Sequence, residues 1–296
     1  MNLDKELYGY FEKCSVLKSL LPINSWKAIT QPSMTVSRSK RIPAATPLQP
    51  RRRAIIVGAS GGIGAALALR LAREGFILGL VGRRKEALQA VAEGINAHQA
   101  EIQVLTYVHD VTHYDSVPSL LRKIVAEIGG LDLVIYVAGV NKPPGIENYI
   151  FDADREMVEV NLVGAMAWLD PVSSMFQAAG TGHIVGISSV AGDRGRVGNP
   201  GYNASKAGLT AYLEALRNRL TRFGVHVLTV KPGFVRTEML KAAPRVMFPI
   251  TAERAANEIW NAIRERKQQI YTPPVWTLIM LIVRNIPSII FRRLSF

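Results

Sequence analysis

The sequence predicts an α/β fold: one doubly wound domain in which helices cover both faces of a parallel, seven-stranded sheet. Between residues 53 and 272, short runs that are apolar nearly throughout alternate with longer stretches of helical apolar spacing. Strands that are apolar on both faces indicate a parallel sheet buried between helices. No internal repeat interrupts the alternation.

The elements follow one another along the chain. Seven runs are predicted as strands, at 54–58, 77–82, 102–108, 131–137, 183–187, 225–231 and 269–272. Six stretches are predicted as helices, near 62–74, 84–97, 115–129, 152–178, 202–223 and 251–267. Because a helix separates each strand from the next, the strands are expected to run parallel.

The N-terminal part, residues 1–52, is predicted to lie outside this domain. Residues 3–21 have helical apolar spacing and are expected to form an amphipathic helix. Residues 30–53 contain four prolines, several Ser and Thr, and basic residues without periodicity, which is typical of a linker. The predicted organisation is therefore 1–52, 53–272 and 273–296.

The C-terminal segment, 273–296, is apolar and basic. Its uninterrupted apolar stretch, Val275–Val283, ends at Arg284 and Asn285, and Pro287 would break or kink a helix. A membrane span needs roughly 20 mostly apolar residues, so this segment is too short and too interrupted to cross a bilayer. Two interpretations remain open: a helix that lies on an anionic membrane surface, and a helix that packs on the domain or at a subunit interface.

Charge is concentrated at the two ends of the chain. The net charge is +13, of which residues 1–53 hold +7 and residues 273–296 hold +3. The middle of the chain is nearly balanced, which argues against a nucleic-acid enzyme, because such an enzyme would carry its basic stripe on the folded domain. Basic, apolar ends fit an anionic membrane surface better.

Cysteine content and the first residues bear on the compartment. Cys14 is the only cysteine, which excludes an intramolecular disulfide framework and a multi-cysteine metal site and suits a reducing compartment. The first 21 residues mix acidic with apolar side chains and show no secretory signal. We therefore expect a cytoplasmic protein that is peripherally attached to a membrane if the C-terminal segment binds one.

A glycine-rich turn follows the first predicted strand. It reads Gly58-Ala59-Ser60-Gly61-Gly62-Ile63-Gly64 and runs directly into a predicted helix. A pyrophosphate needs backbone N–H groups aimed at it and no Cβ in its way, and the N-terminus of a helix supplies both. In an alternating α/β chain, this placement predicts a dinucleotide site.

The end of the second strand bears on the choice of cofactor. An enzyme that prefers NAD usually has a carboxylate there to hold the ribose 2′-hydroxyl, whereas an arginine accommodates the 2′-phosphate of NADP. This chain has Gly82 followed by Arg83 and Arg84. A guanidinium binds a phosphate in a bidentate manner, so NADP(H) is predicted over NAD(H). The alternative is an ordinary solvated basic turn.

Candidate catalytic groups follow the fifth strand. Ser189 comes directly after it, and Tyr202 opens the next predicted helix with Lys206 four residues later, on the same helical face. A free tyrosine has a pKa of about 10, and a nearby ammonium lowers it toward a range useful for acid–base catalysis. Tyr-x-x-x-Lys alone is more often an unremarkable helix face; its position at a strand's carboxyl end gives it weight.

Together these motifs resemble the ordinary, non-extended branch of the short-chain dehydrogenase/reductase family over 53–240, with a Rossmann-like fold. The resemblance rests on the spacing G-x-x-x-G-x-G, on Ser189 thirteen residues before Tyr202, on Tyr-x-x-x-Lys, and on Pro232-Gly233 before Thr237. It implies a homodimer or homotetramer that transfers a hydride between NADP(H) and a small carbonyl or alcohol substrate, the nicotinamide doing the redox chemistry.

The resemblance also implies roles for individual residues. Tyr202 would protonate a carbonyl oxygen during reduction, or take up the proton in the reverse direction. Lys206 would lower the pKa of Tyr202 and hold the nicotinamide ribose. Ser189 would hydrogen-bond the substrate oxygen, and Asn161 would fix a water in the proton relay.

For the cofactor, Asp110 would contact the adenine, and Thr237 with the 232–235 backbone would hold the carboxamide. The full predicted cofactor-binding set is Gly58, Ser60, Gly61, Gly62, Ile63, Gly64, Arg83, Arg84, Asp110, Val111, Ala138, Gly139, Tyr202, Lys206, Pro232, Gly233, Val235 and Thr237. No metal is expected.

The chain departs from the family pattern in three places. Tyr136-Val137 precede Ala138-Gly139 where the family commonly has two asparagines, which puts local strand hydrogen bonding in doubt. Gly186 stands where Asn is frequent. Gly61 stands where many NADP enzymes have a basic residue, so the predicted NADP preference depends on Arg83 and Arg84.

The substrate and one alternative function stay open. The segment 235–252 contains several apolar residues, Met239, Leu240, Val246, Met247 and Phe248, which suit a hydrophobic substrate or plain core packing. A protein that binds NADP(H) as a sensor or scaffold without turnover is a second hypothesis. An extended-branch epimerase or dehydratase is disfavoured by the glycine spacing.

Overall fold

The computed structural model describes residues 52–97, 103–242 and 246–294, and within them all seven predicted strands form one parallel sheet. The strands are β1 (Arg53–Val57), β2 (Ile77–Gly82), β3 (Val104–Val108), β4 (Leu133–Tyr136), β5 (Gly182–Ile187), β6 (Val225–Pro232) and β9 (Gln269–Thr272). Their order across the sheet is β3-β2-β1-β4-β5-β6-β9. The predicted N-terminal helix at 3–21 and the linker lie outside the described residues.

Seven helices lie between the strands and two follow the last strand in the part of the chain that the structure describes. They are α1 (Gly62–Arg73), α2 (Lys85–Asn96), α3 (Val117–Glu127), α4 (Phe151–Val158), α5 (Gly164–Ala179), α6 (Pro200–Leu220), α7 (Ala252–Arg264), α8 (Val275–Asn285) and α9 (Ser288–Phe291). The helix predicted at 152–178 is α4 and α5 joined by a π-helical turn at Glu159–Val163. A second, two-stranded parallel sheet, β7 (Val235–Arg236) with β8 (Ile250–Thr251), was not predicted from the sequence.

Alternation along β1 shows why the sheet is covered on both faces. Ala54 and Ile56 belong to one apolar core with residues of α1, α2 and α7. Ile55 and Val57 belong to a second core with residues of α3, α5 and α6. Successive side chains of a strand point to opposite faces, so a fully apolar strand needs helices on both.

The strand order fixes where a ligand can bind. The chain moves outward from β1 to β3 and then returns to place β4 on the other side of β1. The crevice between the carboxyl ends of β1 and β4 is the point where the direction of winding reverses, and open α/β sheets bind ligands there. The predicted site residues follow the strands at this edge.

The C-terminal segment forms α8 and α9. One side of α8 packs on the domain, with Trp276 and Met280 buried against Val190. Its opposite side, which includes Leu278, Leu281 and Ile282, is exposed, so packing on the domain accounts for one side of the helix. Among the residues described, no helix has both the length and the hydrophobicity to cross a bilayer.

Candidate active site

The glycine-rich turn joins β1 to α1 with very little space around its backbone. Gly58 has a φ of +98°, and a Cβ there would lie 2.4 Å from the backbone nitrogen of Ala138. Gly62 has a φ of +54°, in the left-handed region that favours glycine. No side chain caps α1, and its first turn holds no acidic residue. Its first N–H groups are therefore available to an anion, which fits a pyrophosphate.

The two arginines after β2 have different surroundings. Arg84 lies over the glycine-rich turn and donates to the Ser60 carbonyl at 3.0 Å and to the Ser60 hydroxyl at 3.3 Å. Arg83 instead pairs with Asp110 at 3.4 Å. Burial alone would raise the pKa of Asp110, but hydrogen bonds from Thr112 and the charge of Arg83 outweigh it and lower that pKa. Asp110 is thus a carboxylate beside the turn at neutral pH.

Asn161 is fully buried in the π-helical turn between α4 and α5. Its Oδ1 accepts from the Val140 N–H at 2.7 Å, and its Nδ2 donates to the Val140 carbonyl and to the Ser205 hydroxyl, each at 3.0 Å. Single π turns inside helices occur frequently at functional sites. The side chain of Asn161 therefore holds the chain after β4 against α6, and the relay water that the resemblance implies stays a prediction.

Tyr202 lies in the first turn of α6, where Asn199 caps the helix by accepting from the Tyr202 N–H at 3.3 Å. Its side chain is half-buried, and Ser189 lies close by, with its Oγ accepting from the Ala191 N–H at 3.1 Å. Burial raises the pKa of Tyr202, while the nearby Ser189 hydroxyl and the Arg196 charge act in the opposite direction. The net shift is upward, and the charge that opposes it is that of Arg196; Lys206 is not among the groups that shift this pKa, so the expected lowering by its ammonium is not seen.

Lys206 is buried one helical turn after Tyr202. Its Nζ donates to the Ile187 carbonyl at 2.9 Å and lies 5.8 Å from the centroid of the Tyr202 ring. Burial lowers the pKa of Lys206 to about 8. A Cβ on Gly139 would lie 3.3 Å from the Lys206 Nζ and 3.1 Å from the Asn161 Oδ1. The absence of a side chain at 139 therefore leaves room between these two polar groups.

The segment after β6 closes the other side of the site. Pro232 ends β6, and the Gly233 N–H donates to the Thr272 carbonyl at 2.9 Å. Val235 is buried in β7, and the Thr237 side chain reaches the glycine-rich turn, where a Cβ on Gly62 would lie 3.0 Å from its Cγ2. The predicted carboxamide segment and the predicted pyrophosphate turn are thus neighbours.

Two of the three departures from the family pattern have a local explanation. The fully buried Tyr136 donates its hydroxyl to the Val160 carbonyl at 2.6 Å, while β4 keeps its parallel pairing with both neighbours. The doubt about strand hydrogen bonding is therefore removed. A Cβ on Gly186 would lie 2.3 Å from a methyl group of Leu213, so close packing of α6 requires glycine there.

Several groups that position the site were not predicted from the sequence. Ser188 donates to the Lys206 carbonyl at 2.9 Å, and Lys231 and Asp193 form a buried ion pair at 2.6 Å beneath the loop that follows Ser189. Arg196, in the same loop, carries its charge near Tyr202, and its buried Nε has no hydrogen-bond partner among the described residues. Asn199, which caps α6, was missed as well, although Asn followed by Pro is a pattern typical of the start of a helix. The other missed groups have no such signal in the sequence.

The remaining predicted residues also lie at this edge. Ile63, in the first turn of α1, packs against the apolar core. Val111, in the segment that follows β3, is buried. The Ala138 N–H donates to the Val57 carbonyl at 2.8 Å. Within 52–97, 103–242 and 246–294, no group of three or more His, Cys, Asp or Glu side chains is arranged to hold a metal ion.

An uncapped helix after a glycine-rich turn at this point of a doubly wound sheet defines a class, the nucleotide-binding α/β proteins. The family model for short chain dehydrogenase matches residues 52–246. The chain therefore belongs to the short-chain dehydrogenase family, and it is an oxidoreductase of that family.

Relatives and solved structures agree with this membership. An uncharacterized oxidoreductase of Myxococcus xanthus is 40% identical over 188 residues, which cover 64% of this chain and 74% of the relative. One of Mycobacterium tuberculosis is 31% identical over 76% of this chain and 89% of the relative. A crystal structure of a variant actinorhodin polyketide ketoreductase with NADPH is 25% identical, with a TM-score of 0.66, and covers 74% of this chain and 92% of that chain.

Proposed function

We propose that this protein is an NADP(H)-dependent oxidoreductase that transfers a hydride between the cofactor and a carbonyl or alcohol substrate. The observation that carries the proposal is the convergence of Ser189, Tyr202 and Lys206. The Ser189 hydroxyl lies near enough to Tyr202 to act on its ionisation, and the Nζ of the buried Lys206 lies 5.8 Å from the centroid of the Tyr202 ring. A carbonyl oxygen placed between the two hydroxyls would accept hydrogen bonds from both.

In this proposal the residues of the chain hold the substrate oxygen in place and transfer a proton to it. The cofactor, when bound, supplies the hydride. The Tyr202 hydroxyl transfers its proton to the substrate oxygen during reduction, and its raised pKa keeps that proton in place at neutral pH. Ser189 holds the same oxygen. Lys206, fixed on the Ile187 carbonyl at 2.9 Å, holds a positive charge close to the phenolate as it forms.

NADP(H) is proposed over NAD(H) because of the charge beside the glycine-rich turn. Arg84 already contacts Ser60 in that turn, and Arg83 neighbours it. Asp110 is a carboxylate in the same region, but it is paired with Arg83 and hydrogen-bonded by Thr112. The actinorhodin ketoreductase, whose structure contains NADPH, is a related protein with the same fold and supports this choice.

A hydrophobic substrate is proposed from the segment after β7. Four of its apolar side chains, Met239, Val246, Met247 and Phe248, are exposed in the protein rather than packed in its core. A groove of about 940 Å³ runs between α1, α2 and this segment. It is lined by Gly62 and Thr237 but not by Ser189, Tyr202 or Lys206, so it does not locate the substrate. The exposed side chains alone support the hydrophobic class.

We further propose a cytoplasmic homodimer or homotetramer that attaches peripherally to an anionic membrane through 273–296. The single cysteine suits a reducing compartment. The outward side of α8 is apolar and exposed, which supports the attachment. Sedimentation of the purified protein tests the oligomeric state, and a monomer at micromolar concentration would contradict it.

The function is tested with purified protein, NADPH and a panel of ketones and alcohols that spans long-chain and small polar compounds. Turnover of at least one class, with NADPH favoured over NADH, is expected. Long-chain carbonyls no better than small polar ones would contradict the hydrophobic class alone. Tight NADPH binding without turnover across the panel would favour the sensor or scaffold alternative, and no NADPH binding would overturn both functions.

A further inference from the structure

One side of α8 packs on the domain, and the exposed side is still largely apolar apart from Thr277, Arg284 and Asn285. Trp276, Ile279, Met280 and Val283 face the domain, at the spacing of one helical stripe. On the outward side, Leu278, Leu281 and Ile282 are exposed by 63%, 61% and 60%. Large apolar side chains clustered at this exposure usually mark a surface that contacts a protein or a membrane, so we look for a partner for the outward side.

The outward apolar face continues beyond α8. Ile289 and Ile290, in α9, are exposed by 60% and 52%. Arg292 and Arg293 follow after Phe291 and are exposed as well. Residues 273–294 contain three arginines and no acidic residue. We call the exposed side chains of this segment the outward face; they are Leu278, Leu281, Ile282, Ile289, Ile290, Arg292 and Arg293. Apolar side chains bordered by arginines are complementary to an anionic lipid surface.

Arg194 ties the outward face to the active site. Its guanidinium nitrogen donates to the carbonyls of Val283 at 2.7 Å and Ile286 at 2.5 Å, near the end of α8. Its guanidinium carbon lies 3.9 Å from the centroid of the Phe291 ring in α9. The last carbonyls of a helix have no partner within it, and a cation there offsets the helix dipole. Arg194 therefore holds α8 and α9 together from outside the segment.

Arg194 belongs to the loop that connects Ser189 to Tyr202. Asp193, its neighbour, is fixed by Lys231 at 2.6 Å and by the Tyr271 hydroxyl at 2.7 Å. The loop ends at Asn199, which caps α6 at Tyr202. One side of this short loop is thus anchored to the sheet. The other side contacts the C-terminal helices in two ways: Val190 packs on Trp276 and Met280 of α8, and Arg194 makes the polar contact with the end of α8.

We propose that the outward face docks on an anionic lipid bilayer and that Arg194 transmits this docking to the loop between Ser189 and Tyr202, so that lipid binding raises catalytic efficiency. The inference rests on the proposed function, because the loop it acts on carries the proposed acid–base group. Docking fixes α8 and α9, Arg194 then fixes the loop, and the ordered loop places Ser189 and Tyr202 for the substrate. Arg194 is a positioning residue in this scheme.

Docking is tested by flotation of the full-length protein with phosphatidylglycerol-containing vesicles and with pure phosphatidylcholine vesicles. The protein is expected to float with the anionic vesicles, and Leu281→Asp is expected to abolish flotation. Arg292→Ala/Arg293→Ala is expected to weaken binding by about thirtyfold. The matched control is Ile146→Asp, which places the same charge at a side chain of 65% exposure elsewhere and should float normally.

Coupling is tested by measuring kcat/KM with and without anionic vesicles. We expect stimulation of about fivefold or more in the wild type. Leu281→Asp should keep the unstimulated rate and lose the stimulation. Arg194→Ala should still float yet lose the stimulation, whereas Arg222→Ala, which removes an exposed arginine elsewhere, should keep both. Arg194→Lys is a second variant that retains the charge but loses the stacked, forked contact, and it should also lose the stimulation.

Amide hydrogen exchange in 190–199 gives a readout that needs no turnover. Vesicles should slow exchange in this loop in the wild type but not in Arg194→Ala, even if every substrate fails. If Leu281→Asp floats like the wild type, the outward face does not dock on lipid. If Leu281→Asp converts a dimer into a monomer, the outward face is a subunit interface, and lipid docking is overturned. Stimulation retained in both Arg194 variants, or flotation without stimulation or loop protection in the wild type, would overturn the coupling.

Discussion

The Trp276 indole occupies the space that a side chain at Gly233 would need, since a Cβ on Gly233 would lie 1.9 Å from the indole Nε1. Gly233 belongs to the segment after β6 that is proposed to hold the nicotinamide carboxamide. Trp276 is 3% exposed and belongs to α8. The buried side of α8 therefore packs directly behind the segment that is proposed to hold the carboxamide.

A double-mutant cycle tests this contact. Gly233→Ala should destabilise the fold by about 1–3 kcal/mol through overpacking, and Trp276→Ala by about 3–5 kcal/mol through the cavity it leaves. Because the second change makes room for the first, the double variant should lose at least about 1 kcal/mol less than the sum. Denaturant unfolding measures all three. Gly94→Ala, whose Cβ meets nothing within 4 Å, is the control that should not lose stability. Strict additivity would contradict the contact.

Replacing Arg84 should separate the two nicotinamide cofactors. Arg84→Ala removes a charge-assisted contact worth about 1.5–3 kcal/mol, so the NADPH dissociation constant should rise by about 10-fold to 150-fold. NADH binding should change by less than about threefold, because NADH has no 2′-phosphate. Arg83→Ala should have a smaller effect, since Arg83 is shared with Asp110. Fluorescence titration measures both constants, and Arg73→Ala is the control. Equal weakening for NADPH and NADH would show that Arg84 acts on the turn and not on the phosphate.

The buried Lys206 should make the stability of the cofactor-free protein depend on pH. Its folded pKa of about 8 lies below the unfolded value of 10.5, so the unfolded state holds the proton more tightly. Below pH 8 the buried ammonium lowers the free energy of unfolding, and this destabilisation is relieved as the pH rises from 8 to 10.5. Relative to Lys206→Met, the wild type should therefore gain up to about 3 kcal/mol across that window.

Urea unfolding of both proteins at several pH values measures this difference, in which the other titrating groups cancel. Lys206→Arg is a useful companion, because its charge does not titrate in the same window and its difference from Lys206→Met should stay flat. A constant difference between the wild type and Lys206→Met across the window would show that Lys206 is not desolvated as the geometry implies.

The sheet was predictable because its strands are apolar on both faces, as in β1. The position of the site was predictable because its glycines, arginines and serine directly follow predicted strands. Local pattern was sufficient for the glycine-rich turn and for Tyr202 and Lys206 on one helix face. The two-residue strands β7 and β8 were not predictable, since two residues carry no periodicity.

The missed groups depend on contacts between distant parts of the chain. Arg194 meets α8 about 90 residues later, and Lys231 meets Asp193 across 38 residues. Nothing in the local sequence distinguishes these side chains from solvated charges. The raised pKa of Tyr202 was missed for the same reason: the spacing to Lys206 is visible in the sequence, but burial by the surrounding loops is not.

The central claim is that Tyr202 carries the acid–base step, and Tyr202→Phe tests it most directly. The change removes one hydroxyl and keeps the ring over Lys206. It should lower kcat by about 10²-fold to 10⁴-fold, the range of general acid–base catalysis, while the NADPH dissociation constant stays within about threefold. Single-turnover kinetics and NADPH titration on the same preparation measure both. Turnover at the wild-type rate in Tyr202→Phe would contradict the assignment.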